Sequence, residues 1–381
     1  MKNSKETKIK FSGFNGLRFI AALLVIFGHA KLISPSLTKY DSNPIWNLFF
    51  NNASLAVSFF FVLSGFLITY LLLQEHQSKG EISIIKFYKK RALRIFPLYY
   101  GLVLMVLITI PLLLKINGAS VNSYTNEKLY MYLLFLPNVV SPLAKLTHLW
   151  SIGVEEQFYL IWAPLMKYCR RILLPIILLL VITRIVLDYT VLANYAEHFE
   201  SSANANLLRF IQSFQLHTMA IGALGAWLLF YFPKHIQQKW LFHPISQLLN
   251  FLLLIAAFAF DTVYFKSTTS IIGVLDNPLF KDFFIPLLFL ALLLNIALNE
   301  KSLIKLKSPN WEFLGDLSFG MYMFHLPILY LLKPFFANLL YIPNLSPLFV
   351  FYTFLTISIT VFAAFMSFEY FEKYFKKFRP L

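Results

Sequence analysis

Charge is scarce in this chain. Asp, Glu, Lys and Arg supply 13% of its 381 residues, against roughly 25% in a soluble domain, which excludes water as the main solvent of the folded chain. Cysteine is almost missing, and the single Cys169 excludes an internal disulfide and a cysteine metal cluster. No repeat, coiled coil or low-complexity tract breaks the sequence. Nor is there a polar stretch long enough for a separate soluble domain, so residues 1–381 read as one membrane domain, although length alone would suggest two or three soluble ones. Apolar residues fill the space instead: 58% of the chain, with a mean hydropathy of +0.66.

The apolar residues come in runs of about 20, the length that crosses a hydrocarbon core of ~30 Å. Ten such runs, at about 14–33, 54–73, 96–114, 148–167, 172–190, 207–231, 244–263, 281–299, 314–333 and 347–368, predict an all-α polytopic transmembrane bundle. A shorter apolar stretch before the fourth, Leu129 to Val140, is broken by Pro137 and Asn138 and is predicted to be re-entrant or interfacial. The first run follows a basic start like a signal peptide, but it holds Arg18 and His29 and reads as an uncleaved span. The formal charge of +15 sits mostly in short gaps on one side, including Lys86, Lys89, Lys90, Arg91 and Arg94, Lys167, Arg170 and Arg171, and Lys373, Lys376, Lys377 and Arg379. That pattern sets orientation rather than binding nucleic acid. It predicts cytoplasmic tails at 1–12 and 370–381.

Ionisable residues inside such spans are expensive and need partners. Arg18 and His29 are eleven residues apart, so they differ by only about 20° around a helix and by ~16 Å along it. Taken singly, Arg18 reads as a side chain snorkelling to the headgroups and His29 as one bonded to a backbone carbonyl. The fourth run opens with His148, Trp150 and Ser151 and continues into Glu155, Glu156, Gln157 and Tyr159; His148, Glu155 and Tyr159 form one polar stripe. Ser318, Tyr322 and His325 share a face of the ninth, with His325 near the expected depth of His29. Two histidines and a glutamate on three spans suit general-base chemistry, in which a carboxylate can orient a histidine. Arg91 and Arg94, at i and i+3, can face one way and hold phosphates by bidentate hydrogen bonds.

Five segments in order carry a resemblance. They are Arg18 with ten residues before His29, Phe59-Phe60-Phe61-Val62-Leu63-Ser64-Gly65-Phe66, Arg91-x-x-Arg94, His148-x-Trp150-Ser151 through Glu155-x-Gln157-Phe158-Tyr159, and Tyr322-x-x-His325-x-Pro327. Over essentially the whole chain the sequence resembles the membrane acyltransferase 3 family, integral-membrane O-acyltransferases of bacterial surface glycans. The resemblance implies a multi-pass protein of the bacterial cytoplasmic membrane. It would move an acyl group, often acetyl, from cytoplasmic acyl-CoA to a hydroxyl of a carbohydrate or lipid-linked glycan at the outer face, without a metal. It implies His29 as the catalytic residue, with Glu155 matching the motif acid and Glu156 at a variable position. It implies Arg91 and Arg94 on the CoA phosphates and Arg18 on the donor path.

A CoA head held by those arginines has a thin pantetheine arm that can span the rise from Arg18 to His29. His29 then either removes the acceptor proton or carries the acyl group itself. His325 is expected to bind acceptor or assist proton transfer, and Trp150, Gln157, Tyr159 and Tyr322 are the expected substrate contacts. Some relatives add a periplasmic esterase-like domain; this chain ends soon after its tenth span, so that step is expected of another protein. The alternative is a transporter or flippase without acyl transfer, because buried His, Glu and Arg also line substrate and proton paths.

Overall fold

A computed structural model describes residues 11, 13–30, 48–50, 52–109, 126–140, 142–192, 205–233, 239–260, 280–336 and 347–380. Among these the chain is helical, with no strand. Its main helices are α1 (Phe14–Ala30), α2 (Ala53–Lys79), α3 (Ile84–Leu104), α4 (Asn126–Leu133), α5 (Leu149–Tyr168), α6 (Leu173–Leu187), α7 (Ala205–Ser213), α8 (Leu216–Tyr231), α9 (Pro244–Phe260), α10 (Ile285–Leu298), α11 (Pro309–Phe336) and α12 (Pro347–Ser367). The described part of each predicted run is mainly helical, but 207–231 is broken at Phe214 and Gln215 between α7 and α8; 14–33, 96–114 and 244–263 extend past the described residues, as does most of the predicted tail 1–12.

Among the described residues, six helical stretches are long and apolar enough to cross a membrane: Ala53–Lys79, Ile84–Ile108, Arg170–Thr190, Arg209–Tyr231, Phe280–Leu298 and Phe349–Lys376. α1 and α9 are apolar but shorter. α5 and α11 are long, but they carry the polar residues of the candidate site and fall short in apolarity.

Local chemistry sets the helix ends. α2 stops at Gly80, whose φ of 78° only glycine adopts cheaply, and the Gly80 N–H closes on the His76 carbonyl at 2.8 Å. Three residues later the Ser83 hydroxyl accepts from the Lys86 N–H and starts α3. The short α2–α3 connection therefore presents the basic N-terminal half of α3 immediately after α2.

The closest helix pair is α2 against α8. A Cβ on Gly65 would lie 1.9 Å from the Met219 carbonyl oxygen, and one on Gly222 would lie 2.0 Å from that of Val62. Small residues let membrane helices approach to backbone contact, where packing rather than water expulsion holds them. α1 packs on α2 and α11, and α11 packs on α12. α5 is tied to α2 by a buried hydrogen bond, Trp162 Nε1–H donating to Thr69 Oγ1 at 2.8 Å.

The broken stretch before α5 satisfies its backbone through side chains. α4 ends at Leu133, and Phe135 then takes a φ of 58°, stacked on Tyr99 at 4.1 Å between ring centres. The Tyr99 and Tyr100 hydroxyls donate to the carbonyls of Tyr132 and Leu133 at 2.7 and 3.0 Å. Non-helical backbone buried in protein needs such partners. Elsewhere the buried Arg184 meets the buried Asp188 and the half-buried Asp282, its NH2 group 3.0 and 2.9 Å from their carboxylates. This ion triad fastens α6 to the turn before α10.

Candidate active site

Three histidines from three helices meet. His29 of α1 has Nδ1 2.9 Å from the Val25 carbonyl oxygen and 3.3 Å from Nε2 of His325 on α11. His325 is fully buried, and its own Nδ1 lies 2.6 Å from the Tyr322 carbonyl oxygen. A carbonyl only accepts, so His325 carries its proton on Nδ1 and offers a lone pair at Nε2. His29 likewise carries its proton on Nδ1, shared between Val25 and His325, and its lone pair is at Nε2. The two assignments agree: each ring fixes the tautomer of the next.

The third ring is His148, at the start of α5. It lies 4.9 Å from His325 and 5.5 Å from Tyr322, centre to centre. Its Nε2–H donates to the Met323 carbonyl at 3.1 Å, while its buried Nδ1 has no hydrogen-bond partner. Below it, the Tyr322 hydroxyl contacts Ser151 Oγ at 2.5 Å and donates to the His148 carbonyl at 2.9 Å.

Tyr322 and Ser151 also form one end of a cavity of about 100 Å³, whose charged lining is Arg18, Arg91, Arg94 and Glu155. Arg18 NH1 donates to Asn15 Oδ1 at 2.9 Å, and Asn15 in turn donates to Glu312 at 2.7 Å. The Arg91 guanidinium lies 4.5 Å from the Tyr159 ring centre. Arg94 makes no side-chain hydrogen bond among the described residues, and none of the three arginines has a carboxylate within ion-pair distance. Glu155, the one acid in the lining, accepts from the Ser64 and Tyr159 hydroxyls.

The structure therefore joins the predicted residues into two groups. His29 and His325 are in contact, and Tyr322 connects them to the cavity. Arg18, Arg91, Arg94 and Glu155 gather at the other end, with Tyr159 outside the lining but in contact with Arg91 and Glu155. The hydrogen bonds of Glu155 go to Ser64 and Tyr159 rather than to a histidine, and it stands seven residues along α5 from His148, ~10 Å of helix rise. Gln157 turns away from the cavity, bonding the Phe135 carbonyl at 3.0 Å and Asn138 Oδ1 at 2.9 Å. Trp150 also stays out of the lining and packs edge-on to Phe61.

His148 was not among the residues expected to act, yet it stands beside His325. Its position as the first residue of the polar stripe on α5 was the available signal. Glu156, next to Glu155, faces a different way, with a buried Oε1 that has no partner.

The model of the acyltransferase domain family matches residues 11–366. The chain belongs to the acyltransferase 3 family. As a member it aligns with O-acetyltransferase OatA of Staphylococcus aureus strains NCTC 8325, COL and MRSA252, at 25% identity over 96% of this chain. This chain covers 57% of those relatives' length. No solved structure matches it. Both the arginine end and the histidine end of the cavity fall within the matched region.

Proposed function

We propose that the protein is an O-acyltransferase that passes an acyl group, acetyl in the first instance, from cytoplasmic acyl-CoA to a hydroxyl of a carbohydrate or lipid-linked glycan at the outer face of the bacterial cytoplasmic membrane. The observation that carries this reading is one cavity lined by three arginines that have no ion pair among the described residues and, at its other end, by Tyr322 beneath a cluster of histidines. Family membership and the OatA-like relatives support acyl transfer to oxygen.

In this reading the ten helical runs are ten spans of one membrane domain, both tails are cytoplasmic and the segment before α5 is re-entrant. Arg18, Arg91 and Arg94 hold the phosphates of CoA, which are matched by planar guanidiniums with unused donors. The pantetheine arm follows the cavity toward Tyr322. His29 Nε2 takes the proton of the acceptor hydroxyl as its oxygen attacks the thioester carbonyl carbon. The carbon–sulfur bond breaks, and the departing thiolate recovers that proton from His29 as CoA is released. His325 Nε2, accepting from His29 Nδ1–H, keeps the imidazole in the tautomer that presents Nε2 and steadies the cation that forms.

The test is mass spectrometry of surface glycans from cells expressing the wild type or His29→Ala at equal membrane levels. Wild type should add one acetyl mass to a defined sugar and the variant none. Full acetylation by the variant would sink the reading, and so would failure of acetyl-CoA to serve as donor in purified membranes.

A further inference from the structure

The basic C-terminal segment looks at first like ordinary cytoplasmic charge. Lys373 fits that description: it is exposed and pairs with Glu369 at 2.5 Å. Arg379 does not. The turns Phe368–Glu372 and Lys373–Lys376 fold back against α3, the helix of Arg91 and Arg94. Arg379 is half-buried, and among the described residues its buried Nε has no hydrogen-bond partner and no carboxylate lies within ion-pair distance. It lies within electrostatic reach of Arg91, as well as of Glu372 and Asp316. Arg94 in turn feels both Arg91 and Arg379. Lys376, resting 3.9 Å above the Phe368 ring, feels Arg94 and Arg379 along with Asp316 and Glu372.

Four cations from two distant parts of the chain thus converge around two carboxylates, Glu372 and Asp316, leaving an excess of positive charge, and burial together with Arg91 holds the Arg379 guanidinium below its usual range. Such convergence raises the energy of the protein alone and lowers it when an anion binds. Arg379 and Lys376 are themselves absent from the cavity lining, but they interact with Arg91 and Arg94, which line it. An anion satisfying both groups must carry phosphate at the cavity and more phosphate further from it.

We propose that Arg379, assisted by Lys376, is a specificity-determining contact for the phosphate of acyl-CoA most distant from the thioester. This is the ribose 3′-phosphate, with the diphosphate left to Arg18, Arg91 and Arg94. The inference rests on the acyl-CoA reading above. On this view the C-terminal segment closes the nucleotide site and makes the enzyme distinguish acyl-CoA from an acyl donor that shares its thioester arm but lacks that phosphate.

The experiment compares CoA with dephospho-CoA by calorimetry, and acetyl-CoA with acetyl-dephospho-CoA in turnover, using the full chain in nanodiscs. Wild type should favour CoA by about tenfold, the scale of one charge-assisted contact. Arg379→Gln should lose that preference, with the loss in KM rather than kcat, and Arg379→Lys should keep part of it. Lys377→Gln removes an equal charge from the same segment and should keep all of it.

Equal preference in wild type and Arg379→Gln overturns the proposal, and so does loss of preference in Lys377→Gln. Equal binding of CoA and dephospho-CoA by wild type overturns it too. Binding of neither compound by folded wild type is a separate outcome, and it removes the acyl-CoA reading itself.

Discussion

His325 Nε2 lies 3.3 Å from His29 Nδ1, and the carbonyl of Tyr322 fixes which of these atoms carries the proton. In the proposed mechanism His325 would do what a carboxylate does in the Ser-His-Asp triad, by accepting from the far nitrogen of the base. With its own proton on Nδ1 it would orient that base without bringing a negative charge. Removing the base itself, in His29→Ala, should cost roughly 10²–10⁴-fold in kcat. His325→Gln can still offer an oxygen to His29 Nδ1–H and should retain more activity than His325→Leu, which cannot. Steady-state kinetics on purified protein checks the order; equal activity of the two His325 variants would remove the orienting role.

The first part of this arrangement could be read from sequence because membranes make polar residues conspicuous. His29, Arg18 and His325 stood out in apolar runs, and helix periodicity put Ser318 and Tyr322 on the face of His325. What could not be read was the partner of each group. Spacing along α5 gives Glu155 and His148 one stripe, but only packing decides that the first meets Ser64 and the second meets His325. Gln157 looked equally functional, and its partner is the broken backbone at Phe135, a contact with no periodic signature. The fold itself was more legible than the site, since run length and apolarity act locally whereas side-chain pairing acts between helices.

Gln157 therefore gives a sharp contrast between a substrate contact and a structural one. Its amide donates to the Phe135 carbonyl and to Asn138, and neither group faces the cavity. Gln157→Ala leaves that buried carbonyl without its partner, at a cost of about 1–3 kcal/mol. Thermal unfolding in detergent should register the loss, while KM for acetyl-CoA in the surviving folded fraction stays within about twofold of wild type. A selective rise in KM at unchanged stability would return Gln157 to the substrate site.

Arg94 is the cavity arginine with the fewest protein partners, so its donors are the most available to a ligand. Arg94→Lys preserves the charge but replaces a planar fork by a point donor. If the fork grips phosphate at two atoms, Lys should raise KM for acetyl-CoA almost as much as Gln does, on the order of tenfold or more. If only the field matters, Lys should behave as wild type. The KM ratio of the two variants separates the cases.

Glu155 is the acid among the cavity's cations, and its charge opposes the ligand the arginines are expected to hold. It also accepts from Ser64 and from Tyr159, the ring that carries the Arg91 guanidinium. Gln at this position retains one acceptor oxygen for those hydroxyls but no longer offsets Arg18, Arg91 and Arg94. The unoffset cations should bind free CoA more tightly, so product release slows and kcat falls even though affinity has risen. Glu155→Ala removes the acceptor as well. Ser64 and Tyr159 lose their partner, the Arg91 platform loosens, and stability drops by about 1–3 kcal/mol with affinity falling rather than rising. Calorimetry with CoA distinguishes the two variants by sign. Weaker binding by both would mean that Glu155 serves only to hold Ser64 and Tyr159 in place, and that its charge does not govern how CoA leaves.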